Sequence, residues 1–253
     1  MRKIFITLVL ISSALLAGGE KVDKLISKLE KRADSISSFK SDIKYTIKED
    51  NGIFKTQTEY SGRFSFYRNT KDGKKREKAA VVFLTKKKED GKAKKEKKRY
   101  VFNGVWLVKF DYPLKQVSRL QLAPENEPMD TLDLLAEDFP LVGFGSREKL
   151  KKDYQIKLIE ENDKKFTLSL KPNKKSDKKK ELIIEIDKEL LVPQKITARL
   201  KDESETMHIS FSSVKIDGKI EKKDFSVETP QGFSENIKRL EKTGTKSKEE
   251  KNG

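Results

Sequence analysis

Residues that could do chemistry are few. His208 is the only histidine. It stands between Met207 and Ile209, in a stretch whose alternation reads as a strand. A lone histidine in such a setting is structural rather than half of a catalytic pair. Cysteine is absent, which removes any disulfide framework, thiolate metal site or sulfur nucleophile. No G-x-S-x-G elbow occurs, and "DGKAKK" lacks the spacing of a phosphate-binding loop. The carboxylates are scattered among lysines, with no pair set apart for acid–base work. The expectation is a protein that is not an enzyme, binds no metal and needs no cofactor. Arg68 is the residue that asks for a role. In "GRFSFYRN" the period of two puts Phe64, Phe66 and Arg68 on one strand face. A charge in line with two phenylalanines faces the interior, where it needs a partner.

The elements that place this arginine must come from a polar chain. Of its 253 residues 39% are charged and only 34% hydrophobic, so a core requires that the apolar residues be concentrated. The formal net charge of +16 attracts anionic partners or simply solvates the faces. The lysine runs are not interleaved with aromatics, and no RNA-binding or zinc-finger spacing occurs, so nucleic acid is not expected as a partner.

The beginning, "MRKIFITLVLISSALLAGGE", has two basic residues, an apolar run from Ile4 to Ala17 and then small residues. A spanning helix needs about 20 apolar residues, so this order predicts a secretory signal peptide over residues 1–19, cleaved near Gly19. The mature chain is then exported. Residues 20–37 have apolar positions at helical spacing, with Val22, Leu25, Ile26, Leu29, Ala33 and Ile36 forming one stripe.

Strands follow. Asn51-Gly52 and Asn103-Gly104 are hairpin turns, and Gly62 marks a turn or bend. The basic segment 85–98 reads as a long hairpin with a solvated tip. After Gly104 one face carries Val105, Leu107 and Lys109, and the other Trp106, Val108 and Phe110. Leu132, Leu135, Ala136 and Phe139 then predict a short helix, capped by Asp130 or Thr131 and stopped by Pro140. Strands resume, and Phe225–Val227 reads as a last short one. Residues 241–253 lack apolar residues and read as a disordered basic tail. The sum is an α+β, mainly antiparallel fold of about ten strands. A sheet that long curls and leaves a concave face for the helices to cover.

This pattern resembles the LolA family, periplasmic carriers of outer-membrane lipoproteins, over roughly residues 22–236. The resemblance rests on "LISKLEKRADSISSFKSDIKYTI", "GRFSFYRN", "NGVWLVKFDYPLKQV" and "KDFSVETPQGF", in that order. They match an amphipathic first helix ending in a small-polar "SF" stretch and a G-x-(L/F)-x-(F/V)-x-R strand. A turn into an aromatic strand and a late F-x-x-x-(P/T)-P-x-G follow. Asn69 stands where the family has proline. Trp106 stands two positions before the usual aromatic, which is Val108 here, and the 85–98 insertion is long. The resemblance implies one carrier domain over residues 20–240. Its fold would be an incomplete β-barrel, closed by lid helices over a cavity for lipoprotein acyl chains. It implies that Arg68 holds the lid shut through hydrogen bonds to helix backbone, for which helix-end carbonyls are suited. The cavity lining would be Phe64, Phe66, Trp106, Val108, Phe110, Leu132, Leu135 and Phe139, or, if the parity of the Trp106 strand is reversed, its opposite face. Expected partners are an inner-membrane donor and an outer-membrane acceptor, the carrier itself being a monomer. Two alternatives stand beside it: an envelope regulator that senses lipid or lipoprotein, and a polyanion-binding interaction protein.

Overall fold

A computed structural model describes residues 7–71, 74–89, 91–129, 147–174 and 178–240. Helix α1 (Thr7–Ser35) is longer than the stripe predicts and runs unbroken past Gly19. From it the chain enters a long meander. Its strands are β1 (Ser38–Asp50), β2 (Lys55–Lys71), β3 (Lys74–Lys88), β4 (Lys94–Phe102), β5 (Trp106–Asp111) and β6 (Gln116–Gln121). A short α2 (Arg147–Asp153) precedes β7 (Tyr154–Glu161), β8 (Lys165–Pro172), β9 (Lys179–Asp187), β10 (Pro193–Leu200) and β11 (Glu205–Ile216). A 3-10 turn (Lys222–Phe225) and β12 (Ser234–Lys238) end the described chain.

All of the strands join one sheet, ordered β12-β6-β5-β4-β3-β2-β1-β11-β10-β9-β8-β7. Its two edges, β12 and β7, are not paired, so the sheet curls without closing. Each pairing is antiparallel except β12 on β6, which is parallel. The count is twelve among the described residues, not about ten. Two differences have local causes. The segment read as two strands about Gly62 is one strand, because Gly62 sits at a bulge rather than a turn. A Cβ there would lie 1.9 Å from the Val82 carbonyl oxygen, so the glycine admits a close approach of β3. "SENIK" forms β12 although all five residues are exposed and it has no alternation to betray it. Conversely, Phe225–Val227 is no strand: Phe225 closes the 3-10 turn, and the chain runs on in extended form.

The main core lies on one face of the sheet. Phe39 and Ile43 of β1, Phe64 and Phe66 of β2, Val81 and Phe83 of β3, and Phe211 of β11 meet Leu168, Leu170, Leu182, Ile184 and Ile196 from the far strands. Leu25 and Leu29 of α1 pack into the same cluster, with Ile36 just beyond the helix end. Ion pairs Lys21–Glu161 (2.6 Å) and Asp23–Lys151 (2.6 Å) hold the helix to β7 and α2. Among the described residues no helix is long and apolar enough to cross a membrane. The helix expected on Leu132, Leu135 and Phe139, the stretch Leu141–Phe144 and the tail 241–253 lie outside the described residues.

Candidate functional site: the arginine beneath the first helix

The last turn of a helix leaves carbonyls without intrahelical donors. In α1 the Ala33 carbonyl is one of these. It accepts from Arg68 Nη1 at 2.7 Å, besides the Ile36 amide at 3.3 Å. The Arg68 Nε donates to Glu77 Oε1 at 2.6 Å, and the Asp34 carboxylate lies 3.9 Å from Nη1. Glu77 stands directly opposite Arg68 in the β2–β3 register. The Arg68 and Glu77 side chains are only 11% and 7% exposed, so little water screens the pair. The guanidinium also lies 5.3 Å from the Phe66 ring centre. Sequence reasoning places Arg68 inward and asks for helix-end acceptors. Glu77 escapes it, because a glutamate in "KKREKAAVV" shows no sign that strand pairing will carry it under an arginine.

The helix-to-strand junction is fixed by a second carboxylate. Asp217 Oδ1 accepts from the Ser37 amide (2.8 Å), the Ser37 hydroxyl (2.8 Å) and the Ser38 amide (3.2 Å). The Asp217 amide returns a bond to the Ser38 carbonyl at 2.8 Å. The Ser37 hydroxyl bond, with these amides, holds the Asp217 carboxyl below its ordinary pKa. The small-polar stretch after α1 is therefore a clamp between the helix and the start of β1.

Among the described residues of this core an apolar gap of ≈ 10 Å³ lies between Ile43, Tyr45, Phe64, Val81, Phe83, Ile209 and Phe211, room for roughly one water. Of the predicted lining residues, Phe64 borders this gap and Phe66 joins it in the cluster that holds Leu25 and Leu29 of α1, but Trp106, Val108 and Phe110 belong to a second cluster with Ala80, Val101 and Val117. The register gives the reason. Phe66 pairs with Ala79, Ala79 with Phe102, and Phe102 with Leu107, so Leu107 rather than Val108 shares the face of Phe66. The reversed parity is the one adopted. Alternation along a strand defines two sets but not which set is inward; only pairing across the intervening strands does.

The second cluster is covered by the C-terminal strap, through Ile220, Phe225, Val227 and Phe233. Two arginines hold the strap. Arg99 Nη2 donates to the carbonyls of Lys223 (3.1 Å), Asp224 (3.1 Å) and Ser226 (2.7 Å). Arg119 donates to the Val227 carbonyl at 2.5 Å and pairs with Glu235. The Asn103-Gly104 turn that aims Trp106 forms as read: Asn103 Oδ1 accepts from the amides of Val105 (3.1 Å) and Trp106 (2.9 Å), and Gly104 takes a φ of 89°.

His208 sits in the sheet, its Nδ1 2.9 Å from the Thr197 hydroxyl. Burial, then Lys48, Lys195 and Arg199, lower its pKa, so it is a neutral residue facing a threonine rather than a carboxylate. Among the described residues no cluster of histidine and carboxylates could hold a metal.

The family model described as outer membrane lipoprotein carrier protein LolA matches residues 90–228, more than half of the chain. A search of curated proteins gives no match. Solved structures of similar shape include a DUF1329 family protein from Desulfovibrio piger (14% identity, 80% of this chain and 95% of that one, TM-score 0.44). Another is the MucA/MucB complex of Pseudomonas aeruginosa (15% identity, 81% of this chain, TM-score 0.42), where the chain spans only 60% of its counterpart. A third is a LolA superfamily protein from Nitrosomonas europaea (14% identity, 79% and 96%, TM-score 0.32). The matched segment begins within the lysine-rich hairpin, takes in the Trp106 strand and ends in the strap, and on it the chain belongs to the LolA family of outer membrane lipoprotein carrier proteins.

Proposed function

We propose that the protein is a periplasmic carrier that shelters the acyl chains of lipoproteins against the inner face of its curled sheet, with α1 as a displaceable cover. The observation that carries this is the Arg68 hydrogen bond to the Ala33 carbonyl. A nearly buried, side-chain-paired arginine grips the end of α1, whose Leu25 and Leu29 pack into the main core. The gap between the core residues holds roughly a single water, so in this reading an acyl chain is admitted along that face by lifting the cover.

The energies are matched for reversible work. Burial of Leu25, Ile26 and Leu29 holds the cover down by roughly 1.5–3 kcal/mol each. An acyl chain returns ~0.8 kcal/mol per buried CH₂, so about six to eleven methylenes balance the stripe on the same scale. Three full chains would overshoot and never leave. A shuttle between an inner-membrane donor and an outer-membrane acceptor therefore buries its cargo in part. Export with cleavage near Gly19 and a monomeric carrier complete the reading.

The test is displacement of a fluorescent acyl probe by a triacylated lipopeptide, against the same peptide without acyl chains. The carrier predicts displacement by the acylated form alone. Absence of probe uptake, or equal effects of both peptides, would overturn it. Steep salt dependence of peptide binding, with indifference to acylation, would favour the polyanion reading, for which the net charge of +16 speaks.

A further inference from the structure

One end of the inner face departs from the apolar pattern. Beyond Phe83 the face carries tyrosines and lysines. Tyr45 and Tyr60 stack with centroids 6.2 Å apart, Phe83 lies 5.3 Å from Tyr60, and Tyr100 meets Phe83 edge-on at 6.1 Å. The register fixes the lysines on this same face. Lys98 pairs with Phe83, Lys86 with Tyr60, and Lys109 with Tyr100. Lys86 Nζ lies 5.3 Å from the Tyr60 ring centre and Lys109 Nζ 5.7 Å from that of Tyr100. Lys86 and Lys98 are half-buried and share Glu96, at 3.7 and 3.0 Å, and Lys98 also reaches Asp111 at 3.5 Å. Lys94, opposite Lys86, adds a further positive charge. The ammonium groups outnumber the carboxylates between them. The lysines thus stand at the aromatic end of the apolar face.

We infer that this rim is a headgroup site: the protein takes amphiphiles whose acyl chain lies along Phe64 and Phe83 and whose anionic, phosphate-class headgroup is held by Lys86, Lys98 and Lys109. This rests on the carrier reading of the inner face and adds a charge preference to it. The chemistry is direct. Lysine binds phosphate as a point charge with three donors. The tyrosine rings give the boundary between wet head and dry tail the amphipathic surface that such boundaries favour. Glu96 keeps the two half-buried ammonium groups compensated when no ligand is there, and competes with the ligand for them.

The experiment uses the full-length protein and a fluorescent acyl probe, displaced below micellar concentrations by hexadecyl phosphate or by hexadecylphosphocholine. Inorganic phosphate is the third arm. The expected result is displacement by the phosphate amphiphile at about tenfold lower concentration than by the zwitterionic one, and none by inorganic phosphate. In K86Q/K98Q/K109Q the ratio falls towards one while displacement by hexadecylphosphocholine is unchanged. Glu96→Gln, which removes the carboxylate that both lysines share, raises the ratio. Removing three exposed lysines elsewhere, in K157Q/K171Q/K215Q, leaves it as it was. Equal displacement by both amphiphiles in the unmodified protein, or a ratio that falls equally in the remote variant, overturns the headgroup site and leaves the acyl carrier standing. Displacement by inorganic phosphate alone overturns it in favour of a free-anion site. Failure of the probe to bind overturns both.

Discussion

Arg68 and Glu77 are a nearly buried ion pair, and such pairs respond unequally to single and double substitution. Removing the arginine takes a charged donor from a carboxylate that is 7% exposed. Arg68→Leu should therefore cost about 3–5 kcal/mol, and Arg68→Leu with Glu77→Leu should recover most of that loss, as read from denaturant unfolding. The double variant then reports cover closure apart from stability. Asp217 behaves differently, because its carboxylate is held below its ordinary pKa by the Ser37 hydroxyl and the Ser37 and Ser38 amides. A depressed carboxylate stabilises the fold above its ordinary pKa, and that contribution is lost as pH falls through the folded-state value. Asp217→Asn should be about 1 kcal/mol less stable near neutrality. The gap to the unmodified protein should close as the acid range is entered, as unfolding midpoints across pH would show. The inward arginine was legible from Phe64, Phe66 and the period of two. Its glutamate and the Asp217 clamp were not, since both lie far from their partners in sequence or carry no pattern of their own.

Gly62 decides how β2 and β3 lie together. It was legible as a break, but of the wrong kind, because a glycine at a bulge and a glycine at a turn look alike in sequence. With the Val82 carbonyl 1.9 Å from its would-be Cβ, Gly62→Ala forces the two strands apart and should lower stability by about 2 kcal/mol, measured by thermal unfolding. Strands with clean alternation and turns marked by Asn-Gly were readable. The exposed β12 and the 3-10 turn of the strap were not, because tertiary contacts rather than local periodicity hold them. The lining set from β5 failed for a related reason. Trp106, Val108 and Phe110 pack under the strap, and a face is assigned by its neighbours, not by its own strand.

At the scale of the molecule the sheet buries apolar residues on both faces, one beneath α1 and one beneath the strap. The arginines divide accordingly: Arg68 holds the helix, and Arg99 and Arg119 hold the strap. The curled, unclosed architecture could be read from the number and length of the strands, since a sheet that long cannot stay flat. Which cover the carrier reading has to lift could not. The central claim is that α1 lifts to admit an acyl chain, and the chain's lack of cysteine allows a clean test. Lys21 and Glu161, an ion pair between α1 and β7, can both be replaced by cysteine and joined with a reducible thiol cross-linker. Acyl-probe uptake is then measured before cross-linking, after it, and after reduction. The account predicts uptake that is lost on cross-linking and regained on reduction. Full uptake by the cross-linked protein would contradict it, and would mean that α1 is a fixed part of the core.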